Sequence, residues 1–174
     1  AANVIAGGSI GIKANGPVTI QGNRIGTDLS GTTRLGLTSV GVDVRGPGVR
    51  IGGTAANAGN VISGMAPGYG VLLGDGAGGT AIEGNRIGTD ISGTAAIPNQ
   101  IGIGATSVTD VSIGGVGAGQ ANVISRNLGP GVLVSGDPTG RASGVKIRGN
   151  AMADNGRMAI DLQQFRSDGG GGNG

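Results

Sequence analysis

The chain contains no cysteine, no histidine and no tryptophan, and it has one tyrosine and one phenylalanine among 174 residues. A thiol nucleophile, an imidazole acid or base and a soft metal site are therefore excluded. The lack of cysteine also rules out a disulfide framework, which is compatible with an exported protein that does without disulfides. These absences predict no catalytic residue, no cofactor and no metal.

Charge is sparse and mixed in sign. Twelve basic and ten acidic residues give a formal net charge of +2, and they are interspersed along the chain. Nucleic-acid binding needs clustered Lys and Arg, with aromatic rings for stacking on single strands, and the sequence offers neither. No apolar run approaches the length of a membrane-spanning helix. We therefore expect neither a nucleic-acid partner nor a membrane span.

Glycine is abundant, with 42 residues, but it does not recur at every third position as in collagen. The regular feature is an asparagine placed two residues before an aliphatic side chain. It occurs six times, at Asn3, Asn23, Asn60, Asn85, Asn122 and Asn150. A repeat of about thirty residues with several short strands predicts a solenoid, because one unit cannot bury its apolar face alone.

Each repeat contains three short strand patterns. One begins at a glycine, as in Gly41-Val42-Asp43-Val44; one alternates, as in Val49-Arg50-Ile51; and the third is the Asn-x-Ile segment itself. Three strands per repeat predict an all-β fold, a right-handed parallel β-helix (β-solenoid) of about six coils. Isoleucines of successive coils should stack inside it at ~4.8 Å per coil.

The sequence also repeats with a period longer than one coil. The segment 18–32 (VTIQGNRIGTDLSGT) returns as 80–94 (TAIEGNRIGTDISGT), a shift of 62 residues, so two coils form the duplicated unit. We predict a single β-helix domain over residues 1–166. Residues 167–174 are nearly all glycine and are predicted to be a flexible tail.

Strand alternation places each asparagine of the series on the same side as the Ile two residues later, toward the interior. Stacked at strand spacing, the amides can hydrogen-bond to one another and to the turn backbone. We predict a structural asparagine ladder at one corner of the coils.

The duplicated Arg-Ile-Gly-Thr-Asp segments supply the candidate ligand-binding residues, namely Arg24, Asp28, Arg86 and Asp90. Loops at the same corner two coils apart are expected to be ~9.6 Å apart, near the carboxylate spacing of an inverting glycosidase. The favoured interpretation is turn formation, in which Asp accepts backbone N–H bonds. Contact with a sugar or calcium is the alternative.

The outward row of the Asn-x-Ile strands alternates valine and arginine: Val4, Arg24, Val61, Arg86 and Val123. Arginine stems can lie over neighbouring valines. The row is either a lateral contact face or, as we favour, a surface sheltered by loops.

Several motifs resemble the right-handed parallel β-helix repeats of large secreted or surface-displayed bacterial proteins, a non-catalytic branch of the pectate-lyase-like superfamily. They are Asn60-Val61-Ile62-Ser63-Gly64, Asn122-Val123-Ile124-Ser125, the doubled Gly-Asn-Arg-Ile-Gly-Thr-Asp-x-Ser-Gly-Thr and the segment 155–162. The resemblance implies the scaffold without the acidic cluster or histidine that the catalytic relatives use.

The sequence thus favours a structural solenoid module of an extracellular or cell-surface protein: a spacer, stalk or fibre segment. Its open ends predict self-association or contact with flanking coils of a longer chain. The alternative is a β-helix that binds or cleaves polysaccharide. An ice-binding solenoid is disfavoured because the outward residues of the second strand, Thr19, Arg50, Ala81, Ser112 and Lys146, form no regular Thr row.

Overall fold

A computed structural model describes residues 2–136 and 142–163. The described chain forms short β-strands joined by turns, and it includes no helix. The strands are β1 (Val4–Ile5), β2 (Ile10–Ala14), β3 (Thr19–Ile20), β4 (Arg24–Ile25), β5 (Val40–Val44), β6 (Arg50–Gly52), β7 (Val61–Ile62), β8 (Tyr69–Leu73), β9 (Ala81–Glu83), β10 (Arg86–Ile87), β11 (Ile101–Thr106), β12 (Ser112–Gly114), β13 (Val123–Ile124), β14 (Val132–Ser135), β15 (Lys146–Arg148) and β16 (Ile160–Gln163).

From β1 to β15 every third strand returns to the same sheet, and all strand pairs are parallel. Sheet A consists of β1, β4, β7, β10 and β13; sheet B of β2, β5, β8, β11, β14 and β16; sheet C of β3, β6, β9, β12 and β15. The predicted all-β parallel solenoid with three strands per coil is confirmed. It makes about five turns. The sixth repeat contributes β16 and a single bridge between Ala151 and Val123, and the predicted tail, 167–174, lies outside the described residues.

Aliphatic side chains stack in columns inside the three sheets. In sheet A, Ile25, Ile62, Ile87 and Ile124 are in register and completely buried. Sheet C contributes the buried column Ile20, Ile51, Ile82 and Ile113. Because burying one such side chain stabilises a fold by about 1.5–3 kcal/mol, these columns are a main source of stability.

A column of glycines lies at the start of the sheet B strands. A Cβ at Gly102 would stand 2.5 Å from the carbonyl oxygen of Gly131 and 2.9 Å from the γ2 methyl of Ile124. The same approach to the next coil recurs at Gly11, Gly41, Gly70 and Gly131. The coils therefore pack so closely at this corner that a side chain does not fit.

The loops of the duplicated GTD segments stack on one another. Each loop closes on itself through an antiparallel bridge, Thr27 to Arg34 and Thr89 to Ala96. The backbone N–H of Ile91 donates to the carbonyl oxygen of Gly31 at 2.9 Å, so loops that start two coils apart are in direct contact. They form a continuous ridge beside sheet A.

Candidate functional site

The asparagine ladder is present and continuous. The side-chain amide of each asparagine donates to the side-chain oxygen of the next one along the axis. The distances are 2.8 Å from Asn3 to Asn23, 3.1 Å from Asn23 to Asn60, 2.9 Å from Asn60 to Asn85, 3.0 Å from Asn85 to Asn122 and 2.9 Å from Asn122 to Asn150. The four central members are buried, whereas Asn3 is exposed and Asn150 half-buried. The predicted ladder is confirmed.

The ladder also ties sheet A to sheet C. The amide of Asn85 donates to the carbonyl oxygen of Ile51 in sheet C at 2.9 Å, and the amide of Asn122 donates to that of Ile82 at 2.8 Å. The side-chain oxygen of Asn122 meanwhile accepts the backbone N–H of Asn85 at 2.9 Å. Each internal amide thus satisfies buried backbone groups at a corner where strand pairing cannot.

A second asparagine ladder, which the sequence analysis missed, lies at the opposite end of the sheet A strands. The amide of Asn99 donates to Asn127 at 3.0 Å, and the amide of Asn127 donates to Asn155 at 3.0 Å. In earlier coils the buried side chains of Leu37 and Met65 occupy this corner. The sequence signal for this second ladder is the spacing of 28 residues between its asparagines. The 62-residue duplication does not repeat these asparagines, so the duplicated pattern gave no indication of them.

The Asp28 and Asp90 carboxylates are occupied within their own loops. Asp28 accepts bonds from the Ser30 hydroxyl at 2.8 Å and from the backbone N–H groups of Thr32 and Thr33 at 3.0 Å each. Asp90 has the same pattern with Ser92, Thr94 and Ala95. These contacts are the turn chemistry favoured above.

Hydrogen bonding lowers the pKa of both carboxyls. For Asp28 the largest cause is the backbone N–H of Thr33, followed by the Ser30 hydroxyl. For Asp90, burial is the largest single influence and acts to raise the pKa, but the bonds from Ser92, Ala95 and Thr94 together outweigh it and the pKa is lowered. Both groups are ionised at neutral pH and serve as acceptors, not as proton donors.

The arginines of the same motif have a different environment. Arg24, Val61, Arg86 and Val123 are in register on neighbouring strands of sheet A. Val61 is buried, whereas Val4, at the end of the row, is exposed, so the row is sheltered only in part. A Cβ at Gly31 would lie 3.1 Å from the Nε of Arg24, which shows how closely the GTD loop covers the arginine stem.

Both arginines line a cleft of about 690 Å³ on the outer side of sheet A. Its lining also includes Val61 and Val123 of the row, Ile91 from the GTD ridge, and glycines and small residues from segments 53–59 and 119–121. None of the described lining residues is acidic or aromatic. Asp28 and Asp90 are not among them, so the structure separates the arginines from the aspartates of the motif.

The described residues contain no group of three or more acidic side chains placed to bind a metal ion. Within residues 2–136 and 142–163, no helix is long and apolar enough to cross a membrane. Comparison with family models, with curated proteins and with solved structures found no match to this chain. The site is therefore interpreted from its own geometry.

Proposed function

We propose that the chain is a structural β-solenoid module, acting as a spacer, stalk or fibre segment of an extracellular or cell-surface protein. The observation that carries this proposal is the uninterrupted hydrogen-bonded ladder from Asn3 to Asn150. The stability of a solenoid comes mainly from contacts between successive coils, so a ladder that joins every coil to the next supports a structural role. The location and the relationship to non-catalytic surface β-helix repeats rest on the motif resemblance.

The ends of the described stack support contact with further coils. Six exposed large apolar side chains lie on its first and last coils. They are Val4, Ile10, Val18, Met158, Ile160 and Leu162. An exposed strand edge with apolar side chains favours pairing with another chain, and head-to-tail pairing without closure gives a filament. We propose that these faces contact a second copy or flanking coils of a longer chain.

Analytical ultracentrifugation over a wide concentration range, followed by electron microscopy, tests this proposal. We expect elongated, concentration-dependent oligomers whose axial repeat is close to the stack length, ~24 Å for about five turns. A strictly monodisperse monomer at high concentration would contradict self-association. The polysaccharide alternative is tested separately with neutral and acidic glycans, measuring binding, new reducing ends and unsaturated products. Turnover of any glycan would contradict a purely structural role.

A further inference from the structure

Two arginines of the cleft have no partner. Arg24 and Arg86 form neither an ion pair nor a side-chain hydrogen bond with any described residue, and their Nε atoms are buried. Arg34, by contrast, donates to two backbone carbonyls, and Arg45 pairs with Asp43 at 2.8 Å. Among the described residues, Arg24 and Arg86 are the arginines whose Nε is both buried and without a hydrogen-bond partner.

The electrostatics of the cleft favour an anion. Two guanidinium groups share a concave surface whose described lining has no carboxylate to compensate them. Concave, poorly hydrated walls strengthen the field of uncompensated charges. The Nε atoms of both arginines are buried, so the Nη atoms are the donors that an anion in the cleft would reach. Arginine is also well suited to bind carboxylates and phosphates through two parallel bonds.

The spacing of the arginines restricts the shape of the ligand. They lie on β4 and β10, separated by β7, so their backbones are about two strand spacings apart, ~9.6 Å. Val61 of β7 lies between them in register, and Val123 follows Arg86. The floor of the cleft therefore alternates between charged and aliphatic residues along the solenoid axis.

We propose that this cleft binds a small elongated molecule that has an anionic oxygen group, carboxylate or phosphate, at each end and an apolar middle. The two guanidinium groups would bind the ends, and the aliphatic lining of the cleft would contact the middle. The cleft volume of about 690 Å³ is in the range of small-molecule sites. No aromatic side chain is among its described lining residues, which therefore give no platform for stacking a sugar ring. This ligand-binding role goes beyond the structural function proposed above.

A length series provides the test. Linear dicarboxylates from succinate to dodecanedioate, and the matching terminal bisphosphonates, are titrated into the protein by calorimetry at low salt. We expect affinity to pass through a maximum at an intermediate chain length in at least one of the two series, and the series with the stronger maximum identifies the end group. Octanoate, which has one charge, should bind about tenfold or more weakly than the best diacid.

Variants assign the binding to the arginines. Arg24→Gln and Arg86→Gln should each weaken binding of the best ligand about tenfold or more and remove the length preference, because one arginine can bind only one end. Arg50→Gln is the matched control, since Arg50 is exposed on sheet C, outside the cleft. Ala55→Glu keeps both arginines and places a competing carboxylate at the cleft, so it should also weaken binding.

Thermal unfolding of each variant verifies that it is folded. If an arginine variant does not fold, the binding measured with Ala55→Glu tests the proposal in its place. The proposal is overturned by equal affinity along both series, by binding that survives both arginine substitutions, or by no binding at millimolar ligand. Arginine-dependent binding of oligoglutamate or polyuronate that is tighter than that of every small dianion would overturn the small-molecule assignment.

Discussion

The side-chain oxygen of Asn122 accepts two bonds from Asn85, one from the backbone N–H at 2.9 Å and one from the side-chain amide at 3.0 Å. A single oxygen thus fixes both the backbone and the side chain of the residue in the preceding coil. The same arrangement joins Asn60 to Asn85. The ladder therefore fixes how each coil is aligned with the next, in addition to occupying space at the corner.

Replacing Asn85 with alanine should therefore destabilise the fold. The change leaves the backbone N–H of Asn60 and the carbonyl oxygen of Ile51 without their buried partners, which costs on the order of 1–3 kcal/mol for a buried group. Denaturant unfolding measures the loss. Asn3→Ala is the control, because Asn3 is the exposed end of the same ladder. Equal losses in the two variants would contradict a buried structural ladder.

The glycine column gives a second stability test. Gly102→Ala introduces a methyl group 2.5 Å from the Gly131 carbonyl oxygen and 3.0 Å from the Asn127 amide nitrogen. Overpacking of this kind costs typically about 1–3 kcal/mol. At Gly16 a Cβ would meet nothing within 4 Å, so Gly16→Ala should be neutral or slightly stabilising. A Gly102 variant that unfolds at the same denaturant concentration as the parent would show that the coils can separate there.

The strands and the first asparagine ladder were predictable because their signals are periodic. Each of the first five coils repeats the same inward Asn and Ile, and parallel stacking favours that repetition. The second ladder was missed because its corner changes chemistry along the axis, from the apolar Leu37 and Met65 to the amide of Asn99. A position that changes from apolar packing to hydrogen bonding along the axis has no single residue type for a sequence pattern to reveal.

The candidate site was predicted only in part. Arg24 and Asp28 were grouped because they are close in sequence, but their side chains lie in different surroundings. The Asp28 carboxylate is bound by N–H groups within five residues of it, so local bonding decides its position. The cleft around Arg24 instead depends on loops inserted at different corners and stacked across two coils. No local pattern in the sequence encodes that stacking.

The Asp90 carboxylate should make the free energy of unfolding depend on pH, with lower stability in acid. The folded-state pKa of Asp90 is lowered below its ordinary value of 3.8, so the stabilisation is complete well above pH 3.8 and is lost as the pH falls through the folded-state pKa. Asp90→Asn should be less stable than the parent at pH 7. The two stabilities should converge under acid.

Urea unfolding at pH 7, 4 and 2.5 measures this convergence. Asp75→Asn serves as the control for removing one negative charge, because no hydrogen bond or ion pair involves the exposed Asp75 side chain among the described residues. A stability difference between parent and Asp90→Asn that stays constant with pH would contradict the role assigned to the ionised carboxylate.

The last coil carries a built-in obstacle to further stacking. In the glycine column of sheet B, the position after Gly131 is Ala159, whose carbonyl oxygen lies 2.7 Å from where a Gly131 Cβ would be. If a second copy stacked its first coil on β16 in the internal register, the Ala159 methyl would approach the backbone of Gly11 equally closely. The contact must therefore be displaced or weakened relative to the internal coil spacing.

Removing this methyl group should strengthen end-to-end association. We expect Ala159→Gly to lower the concentration at which oligomers form by several-fold, measured by sedimentation velocity, with longer filaments by electron microscopy. Ala153→Gly is the control, because it makes the same chemical change at an exposed position outside the column. Association that is unchanged or weaker in Ala159→Gly than in Ala153→Gly would show that the β16 face does not contact another coil in the register of the solenoid.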